Sequence, residues 1–205
     1  MENVLVNGFD DKRPTSDDSK VPVNIQVKLG DLGSVMRPSR GKITSITYRS
    51  PEVYLGKPWT SATDIWSWGI VLFHLIQARL DLNSPGIYDS PPLTDATMTL
   101  KQKEDTILSA MCHDFNLRST DYFKDCDIPV TSSRTETTSE TGTEIQGPDR
   151  DGDGDGEHWG DRLIARGVDQ FDVVFLYAVL QPDPTERMTV SQILETQYLD
   201  VYKPE

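Results

Sequence analysis

The stretch from Ile65 to Ile76 constrains this chain more than any other. Ile65, Trp66, Trp68, Ile70, Val71, Leu72, Phe73, Leu75 and Ile76 crowd into it. Wound into a helix, these side chains fall on every face, which marks a helix buried all round at the centre of a domain. Ser61-Ala62-Thr63-Asp64 just ahead has capping-box spacing, so the helix is expected over 61–77. Ser67, Gly69 and His74 interrupt the run, and it falls short of the roughly 18 residues that span a bilayer. A chain of 205 residues can wrap such a helix in one domain but is too short for two ordinary ones.

Around that centre the sequence reads as α+β and mainly helical. Val4-Leu5-Val6 is a short strand, and Ile25, Val27 and Leu29 alternate with polar residues as a second one ending at Gly30. Residues 7–24 between them are rich in Asp, Lys, Pro and Ser and read as a polar insertion in a hairpin. Residues 31–50 are irregular, and Ser50-Pro51-Glu52 carries helix-start chemistry: a capping hydroxyl, a proline at the first helical position and an acid in the first turn. Leu100, Lys103, Ile107 and Met111 suggest a helix over 99–111. Residues 130–157 hold clustered Thr, Ser and Glu followed by an Asp-Gly repeat. Such a stretch cannot repay its ordering entropy by burial and is expected to be disordered. Helices resume over 161–205: one from Val168 to Leu180, ended by Pro182 and Pro184, and one capped by Thr189, with Gln192 at the reciprocal position and Met188 facing Ile193.

A net charge of −13 argues against nucleic acid and anionic membranes as partners and suits basic peptides. The N-terminus has no basic region followed by an apolar core, so an intracellular chain without signal peptide or membrane helix is expected. Cys112 and Cys126 have no metal-ligand spacing and read as incidental thiols. Asp149, Asp151, Asp153 and Gly154 imitate the opening of a calcium loop, but Gly160 stands where its closing glutamate is required, so an acidic linker is the better reading.

Asp31-Leu32-Gly33 directly after a strand has the residue types to hold magnesium against phosphates: a hard carboxylate and a glycine that frees the backbone. By itself it is an ordinary turn tripeptide. Its company changes that. Asp31-Leu32-Gly33, Ser50-Pro51-Glu52, Asp64-x-Trp66-Ser67-x-Gly69 and Asp183-Pro184-x-x-Arg187-x-Thr189 follow one another in the order and near the separations found in eukaryotic protein kinases. The chain resembles the C-terminal lobe of that family, with a short hairpin and a buried central helix. Leucine replaces the phenylalanine of the family's magnesium motif, and serine the alanine of the motif that closes the activation segment, here 31–52.

The resemblance implies roles for single residues. Asp31 would chelate the magnesium that bridges the ATP phosphates, and Asn3 would end the catalytic loop as a second metal donor. Glu52 and Arg187 would form a buried ion pair that anchors the activation segment. Asp64 would accept backbone hydrogen bonds from the catalytic loop. Thr47-Tyr48-Arg49 resembles the peptide-docking loop of serine/threonine kinases, and its Tyr-Arg pair leans towards the branch with cyclin-dependent, mitogen-activated and SR-protein kinases. Ser39, Thr44 and Ser45 lie in the activation segment as hydroxyls open to phosphorylation.

Two departures qualify the resemblance. The chain has no G-x-G-x-x-G, and none of His74, His113 and His158 begins a His-Arg-Asp. With Asn3 at the end of the catalytic loop, the catalytic aspartate would fall ahead of Met1, so a truncated domain, inactive as this chain, is expected. The two polar insertions are the second departure, tolerable as surface loops. The competing reading is a non-catalytic, pseudokinase-like module that binds a protein partner.

Overall fold

The computed structural model describes residues 4–7, 26–31, 33, 35–88, 96–129 and 158–202. Of the insertion expected at 7–24, Asn7 belongs to the first strand and 8–24 lie outside the described residues, as does the one expected at 130–157. The chain divides into two compact units, Met1–Arg37 and Pro38–Glu205.

In the first unit, β1 (Val4–Asn7) pairs antiparallel with β2 (Gln26–Leu29). The register sets Val4 opposite Leu29 and Val6 opposite Val27. β-branched and long apolar residues favour the pleat, yet every side chain of this two-stranded sheet is exposed.

The second unit is helical: α1 (Pro51–Tyr54), α2 (Ala62–Leu80), α3 (Leu100–Asp114), α4 (Trp159–Ala165), α5 (Gln170–Val179) and α6 (Val190–Glu195). Turns of 3-10 helix at Ile46–Tyr48, Leu117–Ser119, Asp121–Phe123 and Tyr198–Tyr202 join them. The centre is α2, as the apolar run demands. Trp66, Ile70 and Phe73 pack with Ile107, Met111, Trp159, Leu163 and Leu176 in the main core, and Ile65 joins Phe175, Val179, Ile193 and Tyr198 in a second cluster. Gly69 lets α2 and α5 approach closely, because a Cβ there would sit 2.6 Å from Leu180 Cδ2 and 2.7 Å from Val179 Cγ1.

Several local expectations need correction. Burial of α2 is deep on one side, at Ile65, Trp66, Gly69, Ile70, Phe73 and Ile76, while Trp68, Val71 and Leu72 are half-buried and Leu75 is exposed. The helix also runs on to Leu80, where Arg79 finds the Asp172 carboxylate at 3.2 Å. Ser61 has helical dihedrals and its hydroxyl makes no cap. The cap comes one residue earlier, from Thr60 Oγ1, which accepts the Ala62 N–H at 3.2 Å. Ser50 also fails to cap: its hydroxyl is buried and meets Thr63 Oγ1 at 3.2 Å, while Pro51 fills the first helical position as expected. The capping box of Thr189 and Gln192 is formed, and the same spacing builds a second one at Thr99 and Gln102. α4 opens two residues before the expected 161, at Trp159.

Candidate functional site

The segment from Pro38 to Tyr54 is irregular, and named tertiary contacts hold it in place. Trp59 pins its start: the Trp59 backbone N–H donates to Ser39 O at 2.9 Å and its indole Nε1 to Gly41 O at 3.1 Å. Its end is fixed by Glu52. The Arg187 guanidinium meets that carboxylate at both oxygens, Nη1 to Oε1 at 3.0 Å and Nη2 to Oε2 at 3.1 Å, and neither side chain is exposed. Thr63 Oγ1 donates to Glu52 Oε1 at 2.8 Å. Arg187 gives its other N–H groups to Ala62 O (2.7 Å), Gln181 O (2.8 Å) and Pro182 O (3.1 Å). All five donors of the guanidinium are satisfied, and its face lies 5.2 Å from the Trp66 ring centroid. A buried charge pair is tolerable only with this degree of satisfaction. Glu52 and Arg187, far apart in sequence, are therefore brought together as the motifs imply.

Thr47, Tyr48 and Arg49 share one short 3-10 turn and its exit. Ser67 of α2 supports it by donating to Tyr48 O at 2.9 Å. Arg49 is buried and points inward: Nε donates to Ile43 O at 3.1 Å, Nη2 to Thr44 O at 3.2 Å and Nη1 to Glu104 Oε1 at 2.6 Å. These bonds hold Thr44 at a left-handed φ of 60°, costly for a β-branched residue. Tyr54 completes the bracket, its ring under Arg49 and its hydroxyl donating to Ile46 O at 2.6 Å. Burial drives that phenol well above its ordinary range. The Thr47 hydroxyl, half-buried on the same turn, makes no hydrogen bond among the described residues.

Sequence reasoning missed Glu104. It sits on α3 with its side chain 12% exposed, holding Arg49 with Oε1 and Lys42 with Oε2, each at 2.6 Å. The hydrogen bonds from Lys42 and Arg49 keep its carboxyl below the usual glutamate range. Asp64, on the first turn of α2, is exposed, and nothing described bonds to its carboxylate; partial desolvation raises its pKa above the ordinary aspartate value.

In the first unit, Asp31 follows β2 with its side chain exposed and its backbone left-handed at φ 52°. Its Oδ1 lies 3.7 Å from where a Cβ on Gly33 would be, an ordinary contact distance. Asn3 lies outside the described residues. Among the described residues no three of His, Cys, Asp and Glu gather to hold a metal ion. One exposed hard oxygen donor suits magnesium, which takes one or two carboxylates and completes its shell with phosphate and water.

A family model described as "Protein kinase domain" matches residues 1–199. The chain is 42% identical over 76 residues to the serine/threonine-protein kinase SKY1 of Saccharomyces cerevisiae, covering 35% of the chain and 10% of that protein. It is 36% identical over 72 residues to the serine/threonine-protein kinase AFC3 of Arabidopsis thaliana (32% and 18%). A probable dual specificity protein kinase YAK1 homolog of Encephalitozoon cuniculi is 32% identical over 77 residues (36% and 16%). The chain thus spans about a tenth to a fifth of the length of these relatives. No solved structure matches.

Proposed function

The chain belongs to the protein kinase domain family, and from that premise we propose that it supplies the peptide-docking and metal-holding part of a serine/threonine kinase. The reaction moves the terminal phosphoryl group of ATP to a protein hydroxyl. The observation that carries the reading is the clasp of Arg187 on Glu52, which anchors the docking segment on α2 with every guanidinium donor used. Beside it, Thr47 keeps its hydroxyl free for groups outside the described residues. Asp64, with no described partner on its carboxylate, would accept backbone N–H groups of a catalytic loop.

Asp31, with Asn3, would hold magnesium, which when bound offsets the negative charge of the ATP phosphates. The 205 residues contain no G-x-G-x-x-G and no His-Arg-Asp. We therefore place the triphosphate clamp and the catalytic base outside them, and expect these residues alone to transfer no phosphate.

A transfer assay with radiolabelled ATP and serine-containing peptides, run on the 205-residue chain and on the longest translation that contains it, tests this. Label incorporated by the longer form, lost on Asp31→Asn, supports the reading. Transfer by the 205 residues alone, or an Asp31→Asn variant of full activity, would overturn it. The second reading, a non-catalytic docking module, draws on the contacts that Trp59, Glu104 and Arg187 make with the docking segment. A longer form that binds peptide but neither binds nor turns over magnesium-ATP would favour it.

A further inference from the structure

The docking segment has the opposite charge to the chain that carries it. Residues 38–61 hold Arg40, Lys42, Arg49 and Lys57 against the single acid Glu52, a net charge of +3 within a chain of −13. The fold then removes the negative partners from the surface. Glu52 is fully buried under Arg187, and Glu104, the one acid that α3 brings to this segment, is covered and shared between Arg49 and Lys42. Of the four cations, Arg40 and Lys42 are exposed, Lys57 is half-buried and Arg49 is buried. Lys42 is 69% exposed even while paired. Lys57 has its ammonium 5.3 Å from the centroid of the Tyr122 ring, a neutral neighbour.

Arg40 is held ready. The residues on either side of it are pinned to Trp59, through Ser39 O and Gly41 O, and its guanidinium reaches Gly56 O at 3.5 Å, beside Lys57. The accessible acids nearest in sequence are exposed Asp64 and Asp121, and half-buried Asp183 is felt at Tyr122; none of the three makes an ion pair with Arg40, Lys42 or Lys57. A backbone fixed in advance removes part of the ordering cost of binding, and a guanidinium matches the geometry of a carboxylate. Screening over about 8 Å at physiological salt lets this local charge outweigh the remote acids of the chain.

We infer that this surface selects extended peptides carrying Asp or Glu beside the acceptor hydroxyl, with Arg40 and Lys57 as the specificity-determining residues. The inference rests on the kinase reading only for the acceptor hydroxyl; the charge recognition stands on the geometry.

The test is fluorescence anisotropy on the 205-residue chain with labelled serine-centred peptides flanked by Asp/Glu, by Lys/Arg or by Ala. The acidic peptide should bind tightest and weaken as salt rises. Arg40→Glu and Lys57→Glu should each lower its affinity roughly five-fold, the size of about 1 kcal/mol of exposed charge pairing, and improve the basic peptide. Arg40→Gln, a milder change, should give a smaller loss in the same direction, with thermal melting unchanged in all three. Glu195→Lys, on α6, should alter neither affinity, separating local from net charge. A basic peptide that binds as well as the acidic one, binding of neither, or indifference to Arg40→Glu would overturn the inference. Replacing the acceptor serine by alanine should leave acidic-peptide binding intact. If the longest translation containing these residues fails to transfer phosphate while the 205 residues still bind the acidic peptide, the kinase reading falls and this one stands.

Discussion

Replacing Arg187 with methionine is the most informative single perturbation. The substitution keeps the length of the stem and removes at once five hydrogen-bond donors and the guanidinium's contact with the Trp66 ring. Glu52, with no exposed side-chain surface, would be left with only the Thr63 hydroxyl at 2.8 Å. Breaking one side of a buried pair costs about 3–5 kcal/mol. The carbonyls of Ala62, Gln181 and Pro182 lose their partners as well, at about 1–3 kcal/mol for each that stays dry. These terms overlap, so a total of about 4–6 kcal/mol is the reasonable expectation, against a typical domain stability of about 5–15 kcal/mol. Arg187→Lys should fall between, since three ammonium donors cannot serve five acceptors. The double variant Glu52→Leu with Arg187→Met removes the stranded charge and should recover at least about 2 kcal/mol over Arg187→Met alone. Urea unfolding followed by tryptophan fluorescence reads this directly, because Trp59, Trp66 and Trp159 are buried in this unit. An Arg187→Met cost below about 1 kcal/mol, or a double variant no more stable than the single one, would refute the reasoning.

Three further outcomes are expected. Gly69→Ala should lower the melting temperature, by about 1–3 kcal/mol of overpacking against Leu180 and Val179 despite the better helix propensity of alanine. Thr189→Ala should cost about 1 kcal/mol in urea unfolding by removing the capping box of α6, with Thr189→Ser close to neutral. Glu104 should make the segment 43–49 acid-sensitive. Its hydrogen bonds from Lys42 and Arg49 hold its folded pKa below the ordinary glutamate value, so its contribution is complete above that ordinary value and is lost as pH falls through the lowered folded one. Hydrogen exchange of the 43–49 amides should accelerate over that window, and Glu104→Gln should bring the fast exchange to neutral pH.

How much of this was legible in the sequence depended on whether a feature was local. The apolar density of Ile65–Ile76 leaves few alternatives to a central helix, and the T-x-x-Q spacing of Thr189 and Gln192 contains both halves of its capping box. The identical spacing at Thr99 and Gln102 was equally available and went unused. Glu52 and Arg187 were found only through their motifs, since nothing near either residue reveals the other. Glu104 was invisible: it stands among Lys101, Lys103 and Asp105 as any solvated helix face would, and only its approach to Arg49 sets it apart. Ser50 and Ser61 had the right residue type for caps. Tertiary contact directed the first to Thr63, and a turn begun at Thr60 displaced the second. Apolar content alone also overstated burial, since Phe171 and Val174 of α5 face outward at 55% and 58% exposure.

The clasp between Glu52 and Arg187 joins residues separated by 135 positions. The entropy lost in closing a loop grows only logarithmically, so doubling the chain between its ends adds about 0.6 kcal/mol. Against several kilocalories held in the clasp itself, that is a slight penalty. Lengthening or shortening the chain between Pro129 and His158 by tens of residues should therefore cost far less than replacing Glu52 or Arg187 alone.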